Sequence, residues 1–344
     1  MVDGNASFAE NPEHPVWLFA LRKTLARARV WILASMFMVL LALVVSTPWL
    51  AWFRELIAHR YAPGSLIRGL DEVFRTDTAA RCAGIESSTR STGAALALVA
   101  MLGGAFTAGG WLQVFLERTP GRSLRRFFYG GSRFFFRFLR VLVLTLLALH
   151  LAGWLMYGAP WDWLVHGLLF GAPEGNLEVL SSELTARRIG WCQDGLYFAS
   201  VALILVWGIY TRSRMALQDT TSAVWAGICS SALMIAHPLR TLVPMGALFA
   251  AQAVVLVVAG YFTNTTQARL GTPGDWAGVL VLFLLTILCL AWRTMVRAAG
   301  YHAALQVNAQ LVRPLSRPDP WSKSVGGPGG PRYPVGGDDY EVSL

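Results

Sequence analysis

Six separate stretches of this chain are apolar for long enough to cross a lipid bilayer as helices, and nothing else in the sequence constrains its fold as strongly. They lie near Val30–Phe53, Thr92–Phe115, Val141–Tyr157, Leu196–Tyr210, Thr241–Phe262 and Trp276–Trp292. A hydrocarbon core about 30 Å thick takes about 20 helical residues to span. The third and fourth stretches are short by that measure. They are expected to gain Phe134–Arg140 and Gly190–Gly195, with arginines reaching back to the headgroups. Composition agrees: 55% of the 344 residues are hydrophobic and 14% charged, against roughly 25% charged in soluble globular chains. The apolar content excludes disordered and collagen-like chains, and four cysteines in a chain of this size exclude a disulfide-built miniprotein. The expected fold is all-α, a polytopic membrane protein with six transmembrane helices and amphipathic helices at the membrane surface.

Lys and Arg accumulate in cytoplasmic loops, which orients the chain. With both termini inside, residues 1–29, 117–140, 212–240 and 293–344 carry 20 basic and 9 acidic residues, while the opposite segments carry 9 basic and 11 acidic. The N- and C-termini are therefore expected in the cytoplasm. Glu10 and Glu13 precede the first apolar run, which is too long for a signal-peptide core and reads as a retained span. Arg supplies 27 of the 29 basic residues; with the Ala, Gly and Leu richness this suggests a bacterial source, and hence the inner membrane. Three regions result: a cytoplasmic segment 1–29 with an amphipathic helix, a six-span domain 30–300, and a cytoplasmic tail 301–344. The tail is expected to be disordered from about Ser316, where Pro, Gly, Ser and charge dominate.

The densest local pattern is SLRRFFYGGSRFFFRFLR, residues 123–140. Phe127, Phe134 and Phe138 fall on one helical face, and Arg126, Arg133, Arg137 and Arg140 on another. Such a helix suits the inner membrane interface, where Arg122, Arg125, Arg126, Arg133, Arg137 and Arg140 are expected to anchor it on anionic headgroups. Membrane lipids, and other membrane proteins, are thus the expected partners. Nucleic acid is not, because the segment runs straight into a span. Ser222–Leu242 again passes from a polar cap through small apolar residues to a basic element before the next span, and Trp17–Arg29 is a looser third copy. A quasi-repeat of one interfacial helix plus two spans is one reading of this pattern.

The run GGWLQVFLERTPGRSLRRFFYGGSRFFFRFLRVLVL, with YTRSRMALQDTTSAVWAGICSSALMIAHPLRTL after it, resembles a family of uncharacterised bacterial six-span membrane proteins. That family is distantly similar to the membrane-anchor domain attached to some glycerophosphodiester phosphodiesterases. The resemblance covers most of residues 15–300 and rests on loose patterns of Gly, aromatic and Arg. It implies a topology and no catalytic residues, since no soluble stretch here is long enough for a catalytic barrel of about 250 residues.

Ionisable groups inside a bilayer are functional candidates by default. Within the expected spans only His150 and Gln252 are strongly polar near mid-depth, which argues against an ion-coupled pump. Gly103, Gly104, Ala108 and Gly109 have the small-residue spacing that lets helices pack closely. Cys82 and Cys192 both fall on the outer side as candidates for a disulfide. His59, Asp162, His166 and Glu174 share that side, but no i, i+4 His/acid pair is picked out among them, so no metal site is expected. No nucleophile elbow, P-loop or zinc-protease motif occurs. The chain is thus expected to be non-enzymatic and without a cofactor, acting as a scaffold or accessory subunit of a membrane assembly. The alternative is a transporter or lipid-handling permease for an apolar substrate. Glu117, Arg118, Arg212, Arg214 and Asp219 are the one charged gathering the sequence offers, as an inner-face salt-bridge cluster or an enzyme's acid/base groups.

Overall fold

A computed structural model describes residues 15–57, 72–117, 123–169, 183–269 and 276–312, with the side chains of 72–92 and of some residues at other helix ends left aside. Arg118, Arg122 and the tail from Ser316 lie outside the described residues, as does the Cys82 side chain. Every regular element among the described residues is helical. In chain order they are α1 (Val16–Leu25), α2 (Ala28–Ile57), α3 (Glu72–Leu116), α4 (Ser123–Tyr157), α5 (Glu183–Gln218), α6 (Ala223–Ala236), α7 (Pro238–Arg269) and α8 (Trp276–Leu311). A helical turn, Ala159–Trp161, follows α4 and runs into a π-helix, Asp162–Leu169. Six helices are long and apolar enough to cross a membrane: α2, α3, α4, α5, α7 and α8.

Local chemistry sets the breaks. Ser222 caps α6 by accepting the Trp225 N–H at 3.3 Å. Pro238 disfavours a helical conformation at His237, whose φ of −133° ends α6, and then serves as the first residue of α7. No such breaker stands within 123–157, so the expected surface helix and third span form one helix of 35 residues. The other departure is at the end of the chain. The sixth span was expected to stop at Trp292, yet α8 continues unbroken to Leu311. Arg293 looks like a membrane boundary in the sequence, but Ala298, Tyr301, Leu305 and Asn308 recur at helical spacing and are buried, so protein packing carries the helix onward.

Packing is concentrated at one end of the bundle, the end bearing the 117–123 connection, α6 and residue 312. Here called the basic end, it holds both buried clusters. Phe127, Phe134 and Phe138 of α4 pack with Leu112 and Phe115 of α3, Met215 of α5 and Tyr301 of α8. Tyr210 of α5 packs with Met245 and Leu248 of α7 and with Ala20 of α1. At the far end the helices show large apolar side chains outward, among them Leu43, Leu151, Phe198, Val257 and Phe283. Glycines report the same contrast. A Cβ on Gly109 would stand 2.6 Å from the Gly130 carbonyl oxygen, whereas one on Gly195 or Gly260 would meet nothing within 4 Å.

Candidate functional site

The basic end owes its closeness to small residues on α3 and α4. Gly109 faces Gly130, Gly110 faces Phe127, and Gly131 faces the Phe106 ring. With no Cβ between them the backbones approach closely. Ala108 is fully buried beside them, and Gly103 receives the Phe37 ring of α2. Gly104 instead makes room for an arginine from α8: a Cβ there would stand 3.0 Å from Arg297 Nη2.

That approach brings Glu117, just past the end of α3, onto Arg126 in the first turn of α4. The two form an ion pair with side chains 4% and 7% exposed, and Gln113 donates to Glu117 Oε1 at 2.6 Å. A carboxylate at a helix C-terminus is unfavourable with the helix dipole, and the guanidinium offsets that. Two turns on, Arg133 and Arg137 both pair with Asp219, in the connection after α5, and Arg140 donates to the Thr221 carbonyl at 3.4 Å. Asp219 has φ of 54°, the left-handed conformation that Asp tolerates better than most residues.

Several expectations for this helix are thereby corrected. Phe127, Phe134 and Phe138 do share a face, but it is buried against protein rather than lipid. Arg126, expected on the headgroups, is interior, and Arg133 and Arg137 are held by a carboxylate. Arg125 and Arg140 are exposed. Periodicity finds the faces of a helix, but it does not say whether protein or lipid covers them. The Glu117 and Asp219 gathering resolves into separate ion pairs.

A second polar group lies between α5 and α8, past the expected ends of the fourth and sixth spans. Arg212 Nη1 donates to the Tyr301 hydroxyl oxygen at 3.4 Å, and the Arg297 charge also acts on that hydroxyl. Asn308 Nδ2 donates to the Tyr210 carbonyl at 3.3 Å and to Ser213 Oγ, while Tyr210 donates to the Thr241 carbonyl at 2.9 Å. These bonds tie α5, α7 and α8 together. Gly104, against which Arg297 lies, is central in the 24-residue apolar stretch Gly93–Leu116. Arg297 of α8 thus reaches across to α3, a contact the sequence does not announce. The misplaced end of the sixth span hid it. Helical spacing of small and aromatic residues after Trp292 is the signal that would have found the longer helix.

The third group joins α1, α3 and α8. Arg27 lies over the Phe115 ring at 4.8 Å, and His302 meets the same ring edge-on at 4.8 Å. Phe19 lies 5.7 Å from His302, and Lys23 stands over Phe19 at 5.2 Å. Arg27 Nη1 and His302 Nδ1 are buried with no hydrogen-bond partner. Burial and the charge of Arg126 hold the Arg27 guanidinium down to about 10.

At the far end, Tyr157 donates to Asp194 at 2.6 Å, joining α4 to α5. Asp162 and His166 make an i, i+4 contact of 3.0 Å, a pairing overlooked in the sequence. Cys192 is an exposed free thiol. Among the described residues no group of three or more His, Cys, Asp and Glu is placed to hold a metal. No family model matches this chain, and no curated protein or solved structure is similar to it.

Proposed function

We propose that this integral membrane protein is a non-enzymatic scaffold or accessory subunit, set in a bacterial inner membrane with both termini in the cytoplasm. Its polar, tightly packed basic end would then face the cytoplasm, and its loosely packed apolar end the opposite side. The asymmetry of packing supports this reading: the far halves of α2, α4, α5, α7 and α8 present large apolar side chains that the chain itself does not cover. Lipid covers such surface adequately, but small residues and unfilled flanks also suit the helices of another membrane protein.

Photo-crosslinking from positions 198, 257 and 283 tests the proposal in native membranes. One discrete protein adduct, shared by at least two positions, is the expected result; adducts to lipid alone would overturn it. Orientation is checked separately by labelling Cys192 with a membrane-impermeant maleimide in a Cys82→Ala background. Labelling of intact spheroplasts is expected, and labelling only after lysis would reverse the topology.

A further inference from the structure

Arg212 donates to one neutral oxygen, Tyr301 Oη, the Arg297 charge acts on the same hydroxyl, and the ion pairs among the described residues involve neither arginine. Arg212 is 7% exposed and its Nε is buried without a hydrogen-bond partner. Arginine does not relieve such a situation by losing its proton. Two cationic groups therefore lie close together at the basic end without a described counter-charge, an arrangement that at a membrane favours an anion.

The exposed side of α8 says what kind. Val279, Phe283, Thr286, Leu290, Arg293 and Arg297 follow at spacings of four, three, four, three and four, which places them on one helical stripe. Val279 and Phe283 are exposed at its far end, and Arg293 and Arg297 are exposed at its base. From Val279 to Arg293 the helix rises about 21 Å, compared with about 15 Å for half a hydrocarbon core. An apolar track of acyl-chain length ends on two exposed guanidinium groups. Guanidinium groups match phosphate geometrically and pair with it by charge-assisted hydrogen bonds.

We propose that Arg293 and Arg297 bind the phosphate of an anionic phospholipid whose chains lie along the Val279–Leu290 stripe of α8. The site does not depend on the scaffold reading, since a resident lipid is compatible with either a scaffold or a permease. The phosphate chemistry alone would also accept inorganic phosphate; the acyl track selects the lipid.

The test uses the full chain in nanodiscs of phosphatidylcholine doped with phosphatidylglycerol, with bound phosphatidylglycerol counted by native mass spectrometry after gentle release. Retention is expected to fall about fivefold for each arginine removed, in R293Q and in R293Q/R297Q. It should be unchanged in R125Q/R140Q, which removes two exposed arginines elsewhere. R293Q leaves Arg297 in place beside Gly104, so a folding defect of the double variant leaves that arm readable. Equal retention in wild type and R293Q would overturn the site. Thermal stabilisation of wild type by inorganic phosphate, matching that by phosphatidylglycerol and lost in R293Q, would overturn the lipid assignment.

Discussion

Glu117 and Arg126 neutralise one another inside the protein, where neither side chain is more than 7% exposed. Removing one partner of a buried pair leaves the other in a poor environment and costs about 3–5 kcal/mol, whereas replacing both with apolar residues is often close to neutral. Glu117→Gln should therefore lower the melting temperature markedly. The double variant Glu117→Leu/Arg126→Met should recover most of the loss. A double variant worse than the single would show that the pair matters for something other than charge balance.

Arg27 extends the same balance. Its guanidinium is held at about 10, below the ordinary 12.5, by burial and by Arg126. Because the folded state holds that proton more weakly, the unfolded chain binds more protons between pH 10 and 12.5. Stability from this group therefore rises with pH across that window, and at neutral pH the charge is a net cost. Arg27→Gln forfeits the contact with Phe115, about 0.5–2 kcal/mol, but relieves the cost. The expected melting temperature is no lower than wild type. In a Glu117→Gln background, where Arg126 loses its neutralising carboxylate, Arg27→Gln should be clearly stabilising. Additive effects in that cycle would refute the coupling.

Asp219 differs in being part-exposed. Its pairs with Arg133 and Arg137 have side chains about a third exposed or less, so solvent and salt weaken them to about 1 kcal/mol or below. Backbone conformation adds a separate effect, since φ of 54° suits Asn far better than Ala. Asp219→Asn should cost little, and less still at high ionic strength. Asp219→Ala should cost about 1–2 kcal/mol more, independent of salt. The difference between the two variants in low and high salt is the measurement.

Glycine substitutions separate the two ends of the molecule. Gly109→Ala places a methyl group 2.6 Å from the Gly130 carbonyl oxygen, and overpacking of this kind costs about 1–3 kcal/mol. Gly260→Ala, at the far end, meets nothing within 4 Å and gains up to about 1 kcal/mol of helix propensity. Opposite signs in thermal unfolding are expected, and equal signs would contradict the packing contrast.

Much of this architecture is legible in the residues. Apolar length finds six spans, because a bilayer admits few alternatives. The seven-and-four spacing of Phe127, Phe134 and Phe138 finds the buried face of α4. What covers a face is another matter. Arg126 belongs to Glu117 only because Gly109 and Gly130 let two backbones touch, and no one-dimensional pattern encodes that approach. Charge also misleads where it coincides with an apparent boundary: Arg293 suggests a span end, while Ala298, Tyr301 and Asn308 carry the helix four turns deeper. The far-end splay is equally hidden, since a lipid-facing leucine and a helix-facing one look alike in sequence.

The packing of α1 on α8 bears on biogenesis. The first described helix emerges from the ribosome about 250 residues before its main partner, whereas α3 and α4 are neighbours in the chain and can dock as soon as both exist. During synthesis Phe19, Lys23 and Arg27 must wait at the membrane surface without His302. Among the described helices the last such docking is the capture of α1 by α8, and until it happens Arg22 and Arg27 are available to headgroups or to an insertion factor.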